Sequence, residues 1–263
     1  MANVDVSRAA RVIDVADLAR WLEELLAATP DAVLAFDGDG TLWSGDVGED
    51  TFHAAVHAEL LHEEAREPLE REARAYGVPC GRTPSETARS LFDAWEAGVY
   101  PERDVCAMMA WCYGGLSVAE LTEHTRCTLE RAALGERLHR ELEGVFELAR
   151  SAGARTLVIS ASPQVSVEHG ASLWGIPSQD VIAACPKTEG GRVLPELLAP
   201  VPYGEDKPRA LVERAGGRPL LASFGDNVFD IELLQAARVA IAVRPKSALR
   251  RRLAELPGVL VLE

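Results

Sequence analysis

Asp37 and Asp39 stand one residue apart in Asp37-Gly38-Asp39-Gly40-Thr41-Leu42, directly after the apolar run Ala32-Val33-Leu34-Ala35-Phe36. A short run rich in Val, Leu and Phe predicts a buried strand. The two carboxylates therefore leave the C-terminal end of a strand, the edge of an open α/β sheet at which ligands bind. Gly38 and Gly40 permit a tight turn and a close backbone approach. Acidic oxygens placed this way suit a hard divalent cation such as Mg2+, which prefers oxygen ligands and keeps several waters. An EF-hand is excluded: its loop needs Gly at the sixth position and Glu at the twelfth, where this chain has Leu42 and Gly48.

Two further strand ends carry chemistry. Thr156-Leu157-Val158-Ile159 runs into Ser160-Ala161-Ser162-Pro163, and Leu220-Leu221-Ala222-Ser223-Phe224 runs into Gly225-Asp226-Asn227-Val228-Phe229-Asp230. Between them, Gly204-Glu205-Asp206-Lys207-Pro208 opens an apparent helix with Lys207 in its first turn. Each residue also has a plain structural reading. Ser160 could cap the helix that follows Pro163, Lys207 could be a solvated surface charge, and Asp230 could face a helix macrodipole from its first turn.

In this order, acid pair, hydroxyl, lysine and acid pair, the chain resembles the haloacid dehalogenase superfamily, in particular its phosphoserine-phosphatase-like branch. The first motif of that family, an apolar strand followed by D-x-D-x-T-[LV], matches Asp37 to Leu42. Its strand-end Ser or Thr matches Ser160, its lysine Lys207, and its G-D-x-x-x-D Gly225, Asp226 and Asp230. The resemblance covers roughly residues 31 to 255 and extends to Ile241-Ala242-Val243-Arg244-Pro245.

The resemblance implies a Mg2+-dependent phosphomonoester hydrolase. Asp37 would attack phosphorus to form an aspartyl-phosphate. Asp39 would protonate the leaving oxygen and then deprotonate the water that cleaves the intermediate. Mg2+ would be held by the Asp37 carboxylate, the Asp39 carbonyl and Asp226, offsetting repulsion between an anionic nucleophile and an anionic substrate. Ser160, Lys207 and Thr41 would hold phosphoryl oxygens, with Asp230 and Asn227 orienting Lys207 or metal-bound water from behind. Dehalogenases of the superfamily lack the second carboxylate of the first motif, because halide departure needs no proton. Asp39 therefore favours phosphoryl transfer.

The elements that must position these groups follow from the hydropathy pattern. Strands are expected near 32–37, 155–160, 181–184, 219–224, 238–243 and 258–262, alternating with helices, as in a Rossmann-like, doubly wound parallel α/β sheet. Residues 46–136 read as helical over Val47–Tyr76, Pro84–Ala97, Pro101–Trp111 and Ser117–Leu134, broken at Gly77-Val78-Pro79, Gly98 and Gly114-Gly115. This stretch resembles the all-helical cap that the family inserts after its first motif, which leaves 1–45 and 137–263 as the catalytic core. Residues 138–152 predict the helix returning to the sheet, and residues 1–30 add an N-terminal helical segment, Val15–Ala28.

A cap excludes water and reads the leaving group. Trp43, Asp46 and Glu49 lie on the connection into it and are the candidates for substrate specificity. Phosphoserine phosphatases carry a glutamate at about this distance to read the substrate amine; the matching position here is Asp46, with Glu49 one turn on. An acid beside Trp43, with Trp95 or Trp111 from the cap, would also suit a quaternary ammonium through cation–π contact. Trp followed by Asp is similarly found in phosphocholine phosphatases of the superfamily. Asp46 has a structural alternative as the cap of a helix starting near Val47. The substrate expected is a small amine-bearing phosphomonoester, phosphoserine first and phosphocholine or phosphoethanolamine second. Rival functions are a phosphotransferase and a non-enzymatic phospho-acceptor module.

Composition bounds the partners. A net charge of −14 over 263 residues argues against nucleic acid and anionic membrane surfaces. The N-terminal stretch, with Asp5, Asp14 and Asp17 and no apolar segment, does not read as a secretory signal. Five scattered cysteines without C-x-x-C spacing suit free thiols in a reducing cytoplasm. A cytoplasmic monomer or homodimer is expected. His53 and His57 share a helical face with His62 beyond them, but no third ligand or Glu-x-x-His context points to zinc, so they read as a solvated face.

Overall fold

The computed structural model describes residues 10–263; residues 1–9 of the N-terminal segment, Asp5 among them, lie outside the described residues. The described residues form nine strands: β1 Arg11–Val12, β2 Val33–Phe36, β3 Arg155–Pro163, β4 Val181–Ala184, β5 Pro186–Glu189, β6 Arg192–Leu197, β7 Leu220–Gly225, β8 Val239–Val243 and β9 Leu260–Leu262. Seven form one sheet in the order β1-β9-β8-β7-β2-β3-β4, with every neighbouring pair parallel. Helices flank the sheet, so the expected α/β architecture is the one observed.

β2 lies between β3 and β7, and all four of its residues are buried. A strand covered on both faces reads as a continuous apolar run, which is why Val33 to Phe36 was visible in the sequence. Phe36 pairs in register with Val158 of β3 and Phe224 of β7. That register brings the ends of three strands to one edge, with Asp37 and Asp226 directly after β2 and β7 and Ser160 among the last residues of β3. Phe36 stacks on Phe224, with ring centroids 4.2 Å apart, and on Phe146 at 4.7 Å. The stack anchors the strand directly below the acidic turn.

The N-terminal helix spans Val15–Ala27, capped by Asp14, whose side chain accepts from the Asp17 amide at 2.7 Å. It buries Leu18, Leu22 and Leu26, spaced four apart on one face. The return to the sheet is a 3-10 turn, Arg140–Leu142, followed by a helix over Glu143–Ser151.

Between β2 and β3 lie helices Val47–His57, Arg66–Ala75, Pro84–Glu96, Glu102–Trp111 and Val118–Arg131. The single helix expected over Val47–Tyr76 is two. The break falls where Glu59 takes a positive φ of 50° and the Leu60 amide reaches back to the Ala55 carbonyl. A left-handed residue normally announces itself as Gly or Asn; with Glu there, the sequence carries no signal.

These helices share an apolar cluster that includes Phe52, Leu69, Leu91, Met108 and Tyr113, and it is completed by Val193 and Val201 from beyond β3. Val193 belongs to a hairpin of β5 and β6 that the hydropathy pattern did not suggest. The hairpin turns on Gly190 and Gly191, both at positive φ, and this Gly-Gly pair was the available signal. It docks through Gly115 N–H to the Val193 carbonyl and Val118 N–H to the Gly191 carbonyl, each 2.9 Å. No helix among the described residues is long and apolar enough to cross a membrane.

Candidate active site

The ends of β2, β3 and β7, with the turns after β2 and β7, and the start of the helix Asp206–Ala215 line an open cleft. Lys207 is 3% exposed, and its Nζ donates to Asp37 Oδ1 at 2.5 Å and to Asp230 Oδ1 at 2.6 Å. The surface-lysine alternative is therefore ruled out by burial. Burial works against the ammonium, but Asp230 and then Asp37 outweigh it and hold its pKa above the usual lysine range.

Asp37, Asp226 and Asp230 are buried, and each offers one carboxylate oxygen within 4.8 Å of the others. Burial raises the Asp37 carboxyl well above the usual range, with Asp230 and Asp226 adding and Lys207 opposing. Asp226 is pushed up to about 6, first by burial and then by Asp230, against the pull of Lys246. Asp230 also accepts the Asp226 and Asn227 amides on Oδ2, at 3.1 and 3.0 Å, while Asn227 caps the turn Val228–Asp230. Asp230 is thus both a local cap and the brace of Lys207.

This donor set fits a hard divalent cation. It is all oxygen, its carboxylates outnumber the buried ammonium, and Asp226 Oδ1 is buried with no hydrogen-bond partner. Gly40, at φ 83°, passes so close that a Cβ there would fall 2.1 Å from Asp226 Oδ2. No residue but glycine fits that turn beside the carboxylate.

Asp39 also lines the cleft, outside the group of three carboxylates. Its Oδ1 accepts from Trp43 Nε1 at 2.7 Å and from the Val47 amide at 2.8 Å, and its Oδ2 accepts from Ser162 Oγ at 2.6 Å. One carboxylate thereby ties the first loop, the first inserted helix and the end of β3 together. Ser160 is buried and its Oγ accepts from the Ser162 amide at 3.1 Å. It does not cap the following helix, because β3 runs on to Pro163 and Pro163 takes that place.

The remaining expected residues fall elsewhere. Trp43, expected beside the substrate, is fully buried, its indole packed against Gly38 and Gly170. It positions Asp39 and does not line the cleft. Thr41 is also fully buried, with Oγ1 unpaired, and stays outside the cleft lining. Asp46 lines the cleft and caps helix Val47–His57 as well, accepting the Glu49 amide at 2.9 Å. Burial and then Asp39 push the Asp46 carboxyl well up, and the same two causes raise Glu49, which lies outside the lining.

The haloacid dehalogenase-like hydrolase family matches residues 34–235. The chain belongs to that family. Among curated proteins none matches it. A protein of unknown function from Bordetella pertussis Tohama I is similar in fold at 20% identity and TM-score 0.68, covering 89% of this chain and 99% of its own. A substrate-bound phosphoserine phosphatase is similar at 15% identity and TM-score 0.54, covering 89% and 94%. Cytosolic 5'-nucleotidase IIIB bound to cytidine is similar at 16% and 0.56, covering 96% and 87%.

Several residues of this haloacid dehalogenase-like hydrolase were not singled out from the sequence. Lys246 Nζ reaches Asp226 Oδ2 at 2.9 Å from the loop after β8. Ser162 holds Asp39, and Glu102, Tyr203 and Phe229 line the cleft. Ser162 stands in the strand-end run Ser160-Ala161-Ser162, where a second hydroxyl was a usable signal. Glu102 and Tyr203 had none, since nothing local marks a helix start or a loop as facing a distant turn.

Proposed function

We propose that this protein is a Mg2+-dependent phosphomonoester hydrolase that works through an aspartyl-phosphate on a small, amine-bearing substrate. The observation that carries the reading is Lys207 bridging Asp37 and Asp230 beside Asp226, with Asp39 two residues from Asp37 but held apart from the cluster. Groups with opposite duties stand side by side in different environments.

Lys207 holds Asp37 Oδ1, which leaves Oδ2 to attack phosphorus. The ester P–O bond breaks as the Asp37–phosphorus bond forms, and Asp39 delivers a proton to the departing alkoxide. Water then attacks phosphorus, Asp39 takes its proton, and the Asp37–phosphorus bond breaks to release phosphate. Ser160 Oγ and Lys207 Nζ steady the phosphoryl oxygens, where most of the catalytic effect in phosphoryl transfer lies. Mg2+, when bound by Asp37 and Asp226, supplies charge neutralisation between nucleophile and phosphate. Residues 46–136 serve as the cap that covers the leaving group, and Asp39 senses its placement through the Val47 amide.

The experiment is phosphate release from an aryl phosphate and a panel of small phosphomonoesters, with Mg2+, with EDTA and with Asp37→Asn. Turnover that EDTA abolishes and that Asp37→Asn lowers by about 10⁴-fold or more is expected, by analogy with loss of other nucleophiles. Turnover that survives Asp37→Asn would overturn the covalent route.

A further inference from the structure

The cleft is electrically lopsided. Its cations are Lys207 and Lys246, and both are committed: Lys207 to Asp37 and Asp230, Lys246 to Asp226. The rest of the lining includes Asp46 and Glu102, and among the described residues neither forms an ion pair. Asp46 accepts a backbone amide, and Glu102 Oε2 accepts from Trp95 Nε1 at 2.5 Å. These neutral donors orient the two side chains without bringing a cation to either. Tyr203 and Phe229, with ring centroids 4.6 Å apart, add an aromatic wall to the same cleft. Arg103 follows Glu102 in the chain but is not part of the lining. Its guanidinium sits 5.7 Å from the Tyr203 ring centroid and pairs with Asp206 at 2.7 Å.

Two oriented, unpaired carboxylates beside aromatic rings favour a cation and repel an anion. A carboxylate on the leaving group would meet Asp46 and Glu102 with no free lysine or arginine in the lining to receive it. We infer that the leaving group is a short amino alcohol that carries an ammonium and no carboxylate, and that Glu102 is the residue that selects it. The inference rests on the phosphomonoesterase reading above and narrows it. Phosphoethanolamine and phosphocholine have the required chemistry, whereas phosphoserine, the first expectation from the sequence, carries the excluded carboxylate.

Glu102 acts on specificity from the start of the helix Glu102–Trp111, placed by Trp95 from the end of the preceding helix. Its contribution is to hold the ammonium, so it should appear in KM more than in kcat.

The test measures kcat/KM with Mg2+ for phosphoethanolamine, phosphocholine, phosphoserine, glycerol phosphate and an aryl phosphate, on the native protein and on Glu102→Gln and Glu102→Asp. An ammonium ester without a carboxylate should exceed both phosphoserine and glycerol phosphate by roughly tenfold or more, the scale of one like-charge contact. In Glu102→Gln the ratio of phosphoethanolamine to glycerol phosphate should fall about tenfold, mainly through KM, and Glu102→Asp should restore part of it. The ratio is taken within one protein, so partial misfolding of a variant cancels. Phosphoserine or glycerol phosphate as the best substrate, or a ratio that ignores Glu102→Gln, would overturn the inference while the aryl phosphate still reports a working hydrolase. Loss of aryl phosphate turnover in the native protein would instead remove the hydrolase reading, and this one with it.

Discussion

Asp37, Asp226 and Asp230 each have an ammonium within 2.9 Å, whereas Asp46 and Glu102 reach the same cleft and form no ion pair among the described residues. In the first group Asp37 and Asp226 directly follow parallel strands whose register leaves little freedom, and Asp230 closes the turn after β7. The second stands at the starts of two inserted helices, one capped by Asp46 itself and the other beginning at Pro101 without a side-chain cap. One side is braced by its own ammonium groups; the other has no cation among the described residues, and the proposed ammonium of the leaving group would supply one. The difference teaches that ion pairing, more than proximity, distinguishes the two groups, and the proposals above give the paired group to the reacting end and the unpaired one to the reading end.

The largest effect is expected from breaking the ion pairs. Lys207→Met strands the Asp37 and Asp230 carboxylates, so phosphate release should fall about 10²–10³-fold. The metal-free protein should also lose about 3–5 kcal/mol in a denaturant titration, because a buried pair has lost one partner. A variant as stable as the native protein would show that the paired end is not what the ion pairs make it.

Ser162→Ala sharpens the contrast by freeing one oxygen of Asp39 from its 2.6 Å hydrogen bond. A drop of roughly tenfold in kcat is expected, smaller than loss of the acid itself, since Trp43 and the Val47 amide still hold the other oxygen. Pre-steady-state phosphate release should place the loss in one of the two proton-transfer steps; an unchanged kcat would mean that Asp39 does not need this strap.

Asp226 supplies a pH test. Its carboxyl is held at about 6 in the folded protein, against about 3.9 when unfolded. The native state then keeps the proton longer, so this group lowers stability as pH rises from about 4 to about 6, and the loss is complete above that window. Metal-free Asp226→Asn should melt several degrees above the metal-free native protein at pH 7 and no higher at pH 4. Added Mg2+ should raise the native melting temperature more than that of the variant. Equal melting curves at pH 7 would contradict a strained acidic cluster.

The smallest effect belongs to the reading end. Asp46→Ala removes a helix cap worth about 1 kcal/mol, or about 2–4 °C of melting temperature for a chain of this size. A much larger loss would show that Asp46 carries more of the fold than its single amide bond indicates.

The core was legible because its signals are local. Val33 to Phe36 is buried on both faces, so its apolar run ends abruptly where Asp37 begins, and the same holds for β7 ahead of Asp226. The N-terminal helix expected over Val15–Ala28 is found over Val15–Ala27, with Leu18, Leu22 and Leu26 four apart on its buried face. The break at Glu59 was not legible, because the left-handed residue there is a glutamate.

The sequence by itself determined which groups stand at the strand ends, since hydropathy and turn chemistry are properties of neighbouring residues. Only the tertiary structure decided how those groups are paired. Lys207 closes on Asp37 across 170 residues and Ser162 on Asp39 across 123. Trp43 turned out to be a buried brace, and Glu102 a member of the cleft. Pairings over such separations follow from strand register and helix docking, which no local period encodes, and they divide the cleft into an ion-paired half and an unpaired one.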